Sequence, residues 1–167
     1  DNMVLQQQTE SAIWGWAKTG AAVSVTTSWN KRKYTTFADA EGKWKLKVAT
    51  PAAGGPFSIT ISDGTPVTIN NILIGEVWLC SGQSNMEMPM KGFKDQPILA
   101  SNDAILNSSN DNIRLYTVPR SVQRLPQDTS KNSAWKPAEP ETVSNFSATA
   151  YLFGKLLFEQ LHVPIGL

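Results

Sequence analysis

The sequence is short of several features that would define its chemistry at once. One cysteine, Cys80, and one histidine, His162, are present among 167 residues. An internal disulfide and a zinc site made of several cysteines are therefore excluded. Fifteen basic residues stand against fourteen acidic ones, which gives a net charge of +1. This balance argues against nucleic acid or an anionic membrane surface as a partner. No apolar run approaches the ~18 residues of a membrane-spanning helix.

The remaining composition is typical of a folded protein. Hydrophobic residues make up 41% and charged residues 17% of the chain, so we expect a packed core rather than disorder. The length predicts one or two domains of roughly 100–200 residues each.

Residues 1–72 are typical of short strands separated by turns. β-Branched and aromatic residues recur at every second position, which is the periodicity of a half-buried strand, and glycine, proline and aspartate lie between the strands. We expect a small antiparallel β-sandwich of the jelly-roll or immunoglobulin-like type. The alternating sets are Trp14 and Trp16; Val23, Val25, Thr27 and Trp29; Trp44, Leu46 and Val48; and Phe57, Ile59 and Ile61.

The tryptophans of this region allow two interpretations. Indole rings can stack on sugars, but their alternation with aliphatic residues favours positions in the sandwich core. Lysines at every second position, Lys43, Lys45 and Lys47, predict a solvated strand face or a protected sheet edge. The tryptophans concerned are Trp14, Trp16, Trp29 and Trp44.

Three strands are predicted in residues 73–167. The segment Ile72–Cys80 is almost continuously apolar, as is usual for a strand buried on both faces. Asn112–Val118 is a second candidate strand, and Val163–Leu167 begins a third. A helix between the last two would complete a βαβ crossover in a mainly parallel sheet, so this half predicts an α/β fold.

That helix has a clear hydrophobic pattern. Apolar residues recur at spacings of three and four between Phe146 and Leu161, which predicts one apolar face. Ser144 or Asn145 can cap its start. The preceding residues 120–142 are polar and interrupted by prolines, so we expect a long loop.

The segment with most chemical information is Gly82-Gln83-Ser84-Asn85-Met86, just beyond the first predicted strand. Ligands of open α/β sheets bind outside the carboxyl ends of strands, so Ser84 lies where a nucleophile would be useful. Its hydroxyl could attack a substrate while its backbone N–H donates to the oxyanion. Gly82 would permit a sharp turn. Because Met86 replaces the second glycine of the Gly-x-Ser-x-Gly elbow, spacing alone leaves a serine N-cap as the alternative.

The wider sequence around this serine resembles a known family. Residues 75–87, Gly-Glu-Val-Trp-Leu-Cys-Ser-Gly-Gln-Ser-Asn-Met-Glu, are similar to the first block of the sialate O-acetylesterases, carbohydrate esterases of the SGNH-hydrolase superfamily. Residues 2–7 and 13–17 resemble the opening of the family's N-terminal β-sandwich. Residues 146–151 and 163–167 resemble its first long helix and the strand that follows.

The resemblance implies a domain organisation and a set of site residues. Residues 1–72 would be a β-sandwich accessory domain, and residues 73–167 the first part of a three-layer, flavodoxin-like SGNH hydrolase domain. Ser84 matches the nucleophile and supplies one oxyanion N–H. The neighbouring residues would shape the turn or contact substrate, and they are Gln83, Asn85 and Gly82.

The same resemblance implies what this stretch of sequence does not contain. The superfamily draws its other oxyanion donors and its Asp-x-x-His base from later blocks, the first of which would begin just after Leu167. Glu159-Gln160-Leu161-His162 has the order acid-x-x-His. His162 nevertheless lies at the predicted helix C-terminus, where an imidazole interacts well with free carbonyls. We interpret it as a helix-terminal residue and expect the base elsewhere.

The activity implied by the resemblance is removal of acetyl groups through an acetyl-enzyme on Ser84, with no metal or cofactor. The first substrate would be O-acetylated sialic acid and the second an acetylated xylan-type polysaccharide. A secreted, periplasmic or lysosomal location would follow. Two alternatives stay open: a non-catalytic carbohydrate-binding or interaction module, and one chain of a processed two-chain esterase whose C-terminal remainder brings Asp and His. Neither nucleic acid nor a membrane span is expected.

Overall fold

The computed structural model describes residues 1–127, 129–130 and 133–167. The chain divides into two compact units, Asp1–Glu76 and Val77–Leu167. None of the helices in this described part has both the length and the apolar character needed to span a bilayer.

The first unit consists of strands joined by short turns. Strands β4, β3, β6 and β7 pair in that order and are antiparallel to one another. β1 adds to β7 in parallel, so the sheet is mixed. β2 and β5 form a separate antiparallel pair. The strands are β1 Val4–Gln6, β2 Glu10–Trp16, β3 Ala22–Thr27, β4 Lys33–Phe37, β5 Lys43–Ala49, β6 Gly54–Ser62 and β7 Pro66–Val77.

The alternation predicted for this unit is confirmed on most strands. Along β3, Val23, Val25 and Thr27 are buried, and the residues between them are only half-buried. Along β5, Trp44 and Val48 are buried between exposed lysines. Both sheets contribute to one hydrophobic core, which comprises Ile13, Val23, Val25, Ala38, Trp44, Val48, Ile59 and Ile72.

The prediction that Trp14 and Trp16 belong to this core is wrong. Their side chains are 46% and 51% exposed, whereas Ile13 between them and the core is buried. The inward positions of β2 are therefore Ile13 and Gly15. Gly15 lies directly opposite Trp44, and a Cβ on Gly15 would come within 3.0 Å of the Trp44 ring. β2 therefore faces Trp44 with Gly15, and the side chains of Trp14 and Trp16 lie on the opposite, exposed face.

The second unit combines strands and helices. β10 pairs with β8 in parallel, and α4 lies between them in the chain, so the predicted βαβ crossover is confirmed. β9 pairs with β8 in the antiparallel direction. The elements are α1 Ser84–Glu87, α2 Ser101–Leu106, β8 Asn110–Leu115, β9 Lys136–Ala138, α3 Pro140–Asn145, α4 Ala148–Leu161 and β10 Ile165–Gly166.

Two strand predictions differ from the structure at their C-terminal ends. β7 ends at Val77 instead of continuing to Cys80, although the Trp78 N–H still donates to the Gly166 carbonyl at 2.9 Å. The side chain of Leu79 is 89% exposed, so the apolar run extends beyond the buried part of the strand. β8 likewise ends at Leu115 rather than at Val118.

The predicted start of the long helix is also wrong. Ser147 is the N-cap of α4, and its side chain accepts from the Ala150 N–H. The predicted caps, Ser144 and Asn145, belong instead to the separate short helix α3. Phe146 between the two helices is extended, and this conformation places its ring in the core. Its apolar side chain therefore fits the hydrophobic period although its backbone is not helical.

The predicted long loop is partly structured. β9 lies within residues 120–142, and α3 begins before residue 142. Asp128, Lys131 and Asn132 of that segment lie outside the described residues.

Candidate active site

Ser84 is the first residue of α1, a one-turn helix that follows an irregular segment after β7. The residue at the N-cap position is Gln83, whose carbonyl accepts from the Glu87 N–H at 3.0 Å. The alternative reading of Ser84 as the N-cap is therefore wrong. Ser84 is exposed, as are its neighbours Gly82 and Asn85, so its hydroxyl is accessible from solvent.

The turn before Ser84 is tight at Gly82. A Cβ on Gly82 would come within 3.0 Å of the Met86 Cβ, closer than almost any real pair of such atoms. A larger residue would push the turn away from the helix that follows it. Gly82 thus lies where the sequence predicted a sharp turn, directly against the helix that follows.

The beginning of α4 holds the Ser84 turn in place. The Thr149 hydroxyl donates to the Asn85 carbonyl at 3.3 Å, and the Ala148 N–H donates to the Met88 carbonyl at 2.9 Å. The backbone that follows Ser84 is therefore held against the N-terminus of α4, which favours a fixed position for this serine.

Methionines link the turn to the core of the second unit. Met90 is fully buried, and its N–H donates to the Phe146 carbonyl at 2.9 Å. Met86 is half-buried and packs against the same core, and its sulfur lies 3.4 Å from the Ser147 hydroxyl. These contacts make the segment after Ser84 part of the core rather than a free loop.

A cavity of about 580 Å³ lies beside this turn. Its lining includes Gly82 and Met86, two residues to either side of Ser84. A volume of this size suits a ligand of one or two sugar rings. Its other lining residues are mainly apolar or aromatic, among them Trp78, Cys80, Tyr116, Phe146 and Ala150.

Charges near the cavity are few. Glu87, at the end of α1, forms an ion pair with Arg120, whose side chain is 79% exposed against 44% for Glu87. Such a pair contributes little to stability, but it links α1 to the segment after β8. Burial raises the pKa of the Cys80 thiol, so this thiol is mostly protonated and is a poor nucleophile near neutral pH.

His162 lies at the C-terminal end of α4, whereas the Ser84 turn contacts the N-terminal end of that helix. It is the C-cap residue, with a left-handed φ of 55°, and its N–H donates to the Phe158 carbonyl. Thr149, which contacts the Ser84 turn, is thirteen residues earlier. At 1.5 Å per residue this separation is about 20 Å. An imidazole cannot cover that distance, so the interpretation of His162 as a helix-terminal residue is confirmed.

Several contacts of this site have no signal in the sequence. Thr149 and Arg120 reach α1 from segments more than thirty residues away, and no local pattern identifies such partners. No group of three or more His, Cys, Asp or Glu that could hold a metal occurs among the described residues.

Comparisons with known proteins show which proteins this chain is similar to. No family model matches the chain. Sialate O-acetylesterases from Mus musculus and Homo sapiens are 31% and 29% identical to it, over 99% and 100% of the chain. A solved structure of a carbohydrate acetylesterase from Xanthomonas citri is 34% identical and superposes with a TM-score of 0.90, over 99% of this chain and 37% of that one.

The chain is similar to sialate O-acetylesterases over nearly all of its own length. The resemblance seen around Ser84 is thereby confirmed over the whole sequence, and the arrangement of strands and helices matches that of a carbohydrate acetylesterase. The chain spans about a third of the length of the curated sialate O-acetylesterases that it matches, 33% in the mouse protein.

Proposed function

We propose that this chain is the part of a serine esterase that carries the nucleophile, and that the enzyme removes O-acetyl groups from carbohydrates. The supporting observation is an exposed Ser84 at the start of α1, a helix held by Thr149 of α4. A cavity is lined by the nearby residues Gly82 and Met86. The relatives that share this sequence and fold are named as sialate or carbohydrate acetylesterases.

The proposed reaction begins with attack by the Ser84 hydroxyl oxygen on the acetyl carbonyl carbon. The hydroxyl proton passes to a general base, and the carbonyl oxygen becomes an oxyanion. The first N–H groups of a helix have no partner within the helix, so the Ser84 N–H can donate to this oxyanion. Collapse of the intermediate breaks the bond to the sugar oxygen and releases the sugar hydroxyl. Water then hydrolyses the acetyl-enzyme.

The residues beside Ser84 have supporting roles in this proposal. Gly82 allows the tight turn, while the side chains of Gln83 and Asn85 are exposed and would contact substrate or shape the turn. The second oxyanion donors and an Asp-x-x-His base would come from the C-terminal remainder of the enzyme. That remainder would be either the same polypeptide or a separate processed chain.

The substrate we propose is O-acetylated sialic acid, with acetylated xylan-type polysaccharide as the alternative. The enzyme would act in a secreted, periplasmic or lysosomal setting. In this proposal residues 1–72 are a β-sandwich accessory domain, and residues 73–167 begin the SGNH hydrolase domain. The observed division into compact units lies between Glu76 and Val77.

Labelling with a fluorophosphonate probe tests the nucleophile directly. In the full-length protein we expect the probe at Ser84 and its loss in Ser84→Ala. Ser81→Ala is the matched control, because Ser81 is also exposed and lies three residues earlier. Hydrolysis of an acetyl ester should fall by about three to six orders of magnitude in Ser84→Ala and stay within a few-fold of wild type in His162→Ala.

Other outcomes would favour the alternatives. Tight glycan binding without labelling at Ser84 would indicate a non-catalytic carbohydrate-binding module. A C-terminal fragment found by intact-mass analysis would indicate the two-chain enzyme. Strong Ser84-dependent turnover by residues 1–167 alone would contradict the assignment of the base to the remainder.

A further inference from the structure

The outer face of the β2–β5 pair combines tryptophans with lysines. In the antiparallel register Trp14 lies opposite Lys45 and Trp16 lies opposite Lys43. Side chains directly opposite each other in such a pair point to the same side of the sheet. All four of these residues are exposed. One face of this pair therefore displays two indoles beside a row of ammonium groups, and we call it the Trp–Lys face.

The indoles of this face do not serve the core of the first unit. Trp14 and Trp16 pack edge-to-face, with ring centroids 5.4 Å apart and an interplanar angle of 86°. About half of each side chain remains exposed. Exposed contiguous aromatic surface is typical of a binding site, and the edge-to-face arrangement leaves one indole face open to a flat apolar partner.

The lysines follow one another at a regular distance. Lys43, Lys45 and Lys47 occupy alternate positions of β5, so their Cα atoms are about 7 Å apart. Glu10, on the same face, lies within 3.8 Å of the Lys47 ammonium. The three lysines outnumber Glu10 in formal charge, and they follow the strand direction beside the indoles.

We propose that the Trp–Lys face binds an extended acidic polysaccharide that carries a carboxylate on successive sugar rings. The C–H face of a pyranose ring would stack on an indole, and the ring carboxylates would pair with the lysine ammonium groups. The near-neutral charge of the whole chain and the single short row of lysines favour a sugar polyanion over nucleic acid. This site is distinct from Ser84 and would bring the protein to an acidic glycan without cleaving it.

A pair of matched ligands tests the proposal without any esterase assay. Hexagalacturonate carries the carboxylates, and fully methyl-esterified hexagalacturonate is the same sugar without charge. We expect calorimetry and tryptophan fluorescence to show binding of the acid at least tenfold tighter than that of the ester. Binding should weaken as salt is raised, because exposed ion pairs are screened. Equal affinity for both ligands, or binding of neither, would overturn the proposal.

Variants test whether hexagalacturonate binds at the Trp–Lys face or elsewhere on the surface. Trp14→Ala and Trp16→Ala should each weaken hexagalacturonate binding about tenfold or more, as aromatic anchors do. Lys45→Gln should weaken it about threefold and reduce the dependence on salt. Phe37→Ala is the control, since Phe37 is 71% exposed on β4 and should leave binding unchanged. Because all these side chains are exposed, the variants should fold, and circular dichroism checks this.

Three further results would overturn the proposal by assigning the face to another occupant. One is tighter binding of a single-stranded dT12 oligonucleotide than of hexagalacturonate. Another is self-association in sedimentation velocity that Trp14→Ala abolishes. The third is loss of glycan binding in the full-length protein, which would show that the rest of the enzyme covers the face. Since none of these readouts involves Ser84, failure here leaves the esterase proposal intact, and failure of the esterase proposal leaves this one intact.

Discussion

Gly154 is the residue at which α4 lies directly against the Leu167 side chain. It is buried on the helix, and a Cβ at this position would overlap the Leu167 side chain, whose Cγ would be only 3.0 Å away. The absence of a side chain therefore lets the helix lie directly against the end of the chain. Glycine usually weakens a helix interior, so its presence here reflects packing and not helix propensity.

Gly154→Ala should lower stability. Overpacking costs up to about 3 kcal/mol, and the gain in helix propensity returns about 1 kcal/mol. We expect the free energy of unfolding in urea to fall by about 2 kcal/mol, with an unchanged m-value. Gln160→Ala, an exposed change in the same helix, should stay within about 0.5 kcal/mol of wild type. A Gly154→Ala protein as stable as wild type would show that Leu167 moves aside at little cost.

Single residues show both the success and the failure of prediction from sequence. The position of Ser84 just beyond a strand could be predicted, because an apolar run and a glycine come before it. Trp14 and Trp16 could not be placed, because period-two alternation says that two residues share a face but not which face. The decision depends on Gly15, whose partner Trp44 is twenty-nine residues away in the chain.

In the second unit, the boundaries of an element were harder to predict than its presence. α4 was predictable from its apolar period, but its first residue was not, because Phe146 continues the period in an extended conformation. The N-cap of α4 is therefore Ser147 and not the predicted Ser144 or Asn145. The Ser147 hydroxyl accepts from the Ala150 N–H at 3.3 Å. Hydrophobic periodicity defines a helix face well and a helix boundary poorly.

Ser147→Ala should destabilise α4. Loss of an N-cap side chain costs about 1 kcal/mol, and we expect this loss in urea unfolding followed by circular dichroism. Ser147→Asn keeps an oxygen that can accept from the Ala150 N–H, so its stability should lie close to that of wild type. If both variants lose the same amount, the contact of Ser147 with Met86 rather than the cap would be the stabilising interaction.

Contacts between distant segments organise each unit as a whole, and these were not predictable. In the first unit the Gln7 side chain donates to the Glu76 carboxylate at 2.8 Å, across sixty-nine residues. In the sequence Glu76 is an acidic residue within an apolar run, and no local pattern identifies its partner. In the second unit Thr149 reaches Asn85 across sixty-four residues. Local composition predicted both types of unit, but pairings at this separation depend on the completed fold.

Stability of the second unit should fall at alkaline pH because of Tyr151. Its side chain is almost fully buried, and burial, with a smaller effect from Glu159, raises the pKa of its phenol above the usual value near 10. Between the unfolded and folded pKa values the unfolded state has lost its proton while the folded state keeps it. Raising the pH above about 10 therefore favours unfolding, whereas below this range the contribution is fully present.

Tyr151→Phe tests this origin of the alkaline sensitivity. Without the phenol, the unfolding free energy measured in urea should decline less steeply above about pH 10. Wild-type protein measured at each pH is the reference. An identical decline in both proteins would assign the effect to other groups.

The residues of β2 and β5 also determine how strongly the register of this strand pair is specified. Strands whose two faces are chemically alike can slide past each other and settle in a shifted alignment. Here a shift of one position would carry Lys43, Lys45 and Lys47 inward and would replace Gly15 by a bulkier residue opposite Trp44. Such an arrangement would bury unpaired ammonium groups. The alignment observed is therefore protected against slippage, and this pair of strands should resist the strand exchange that leads to domain swapping or aggregation.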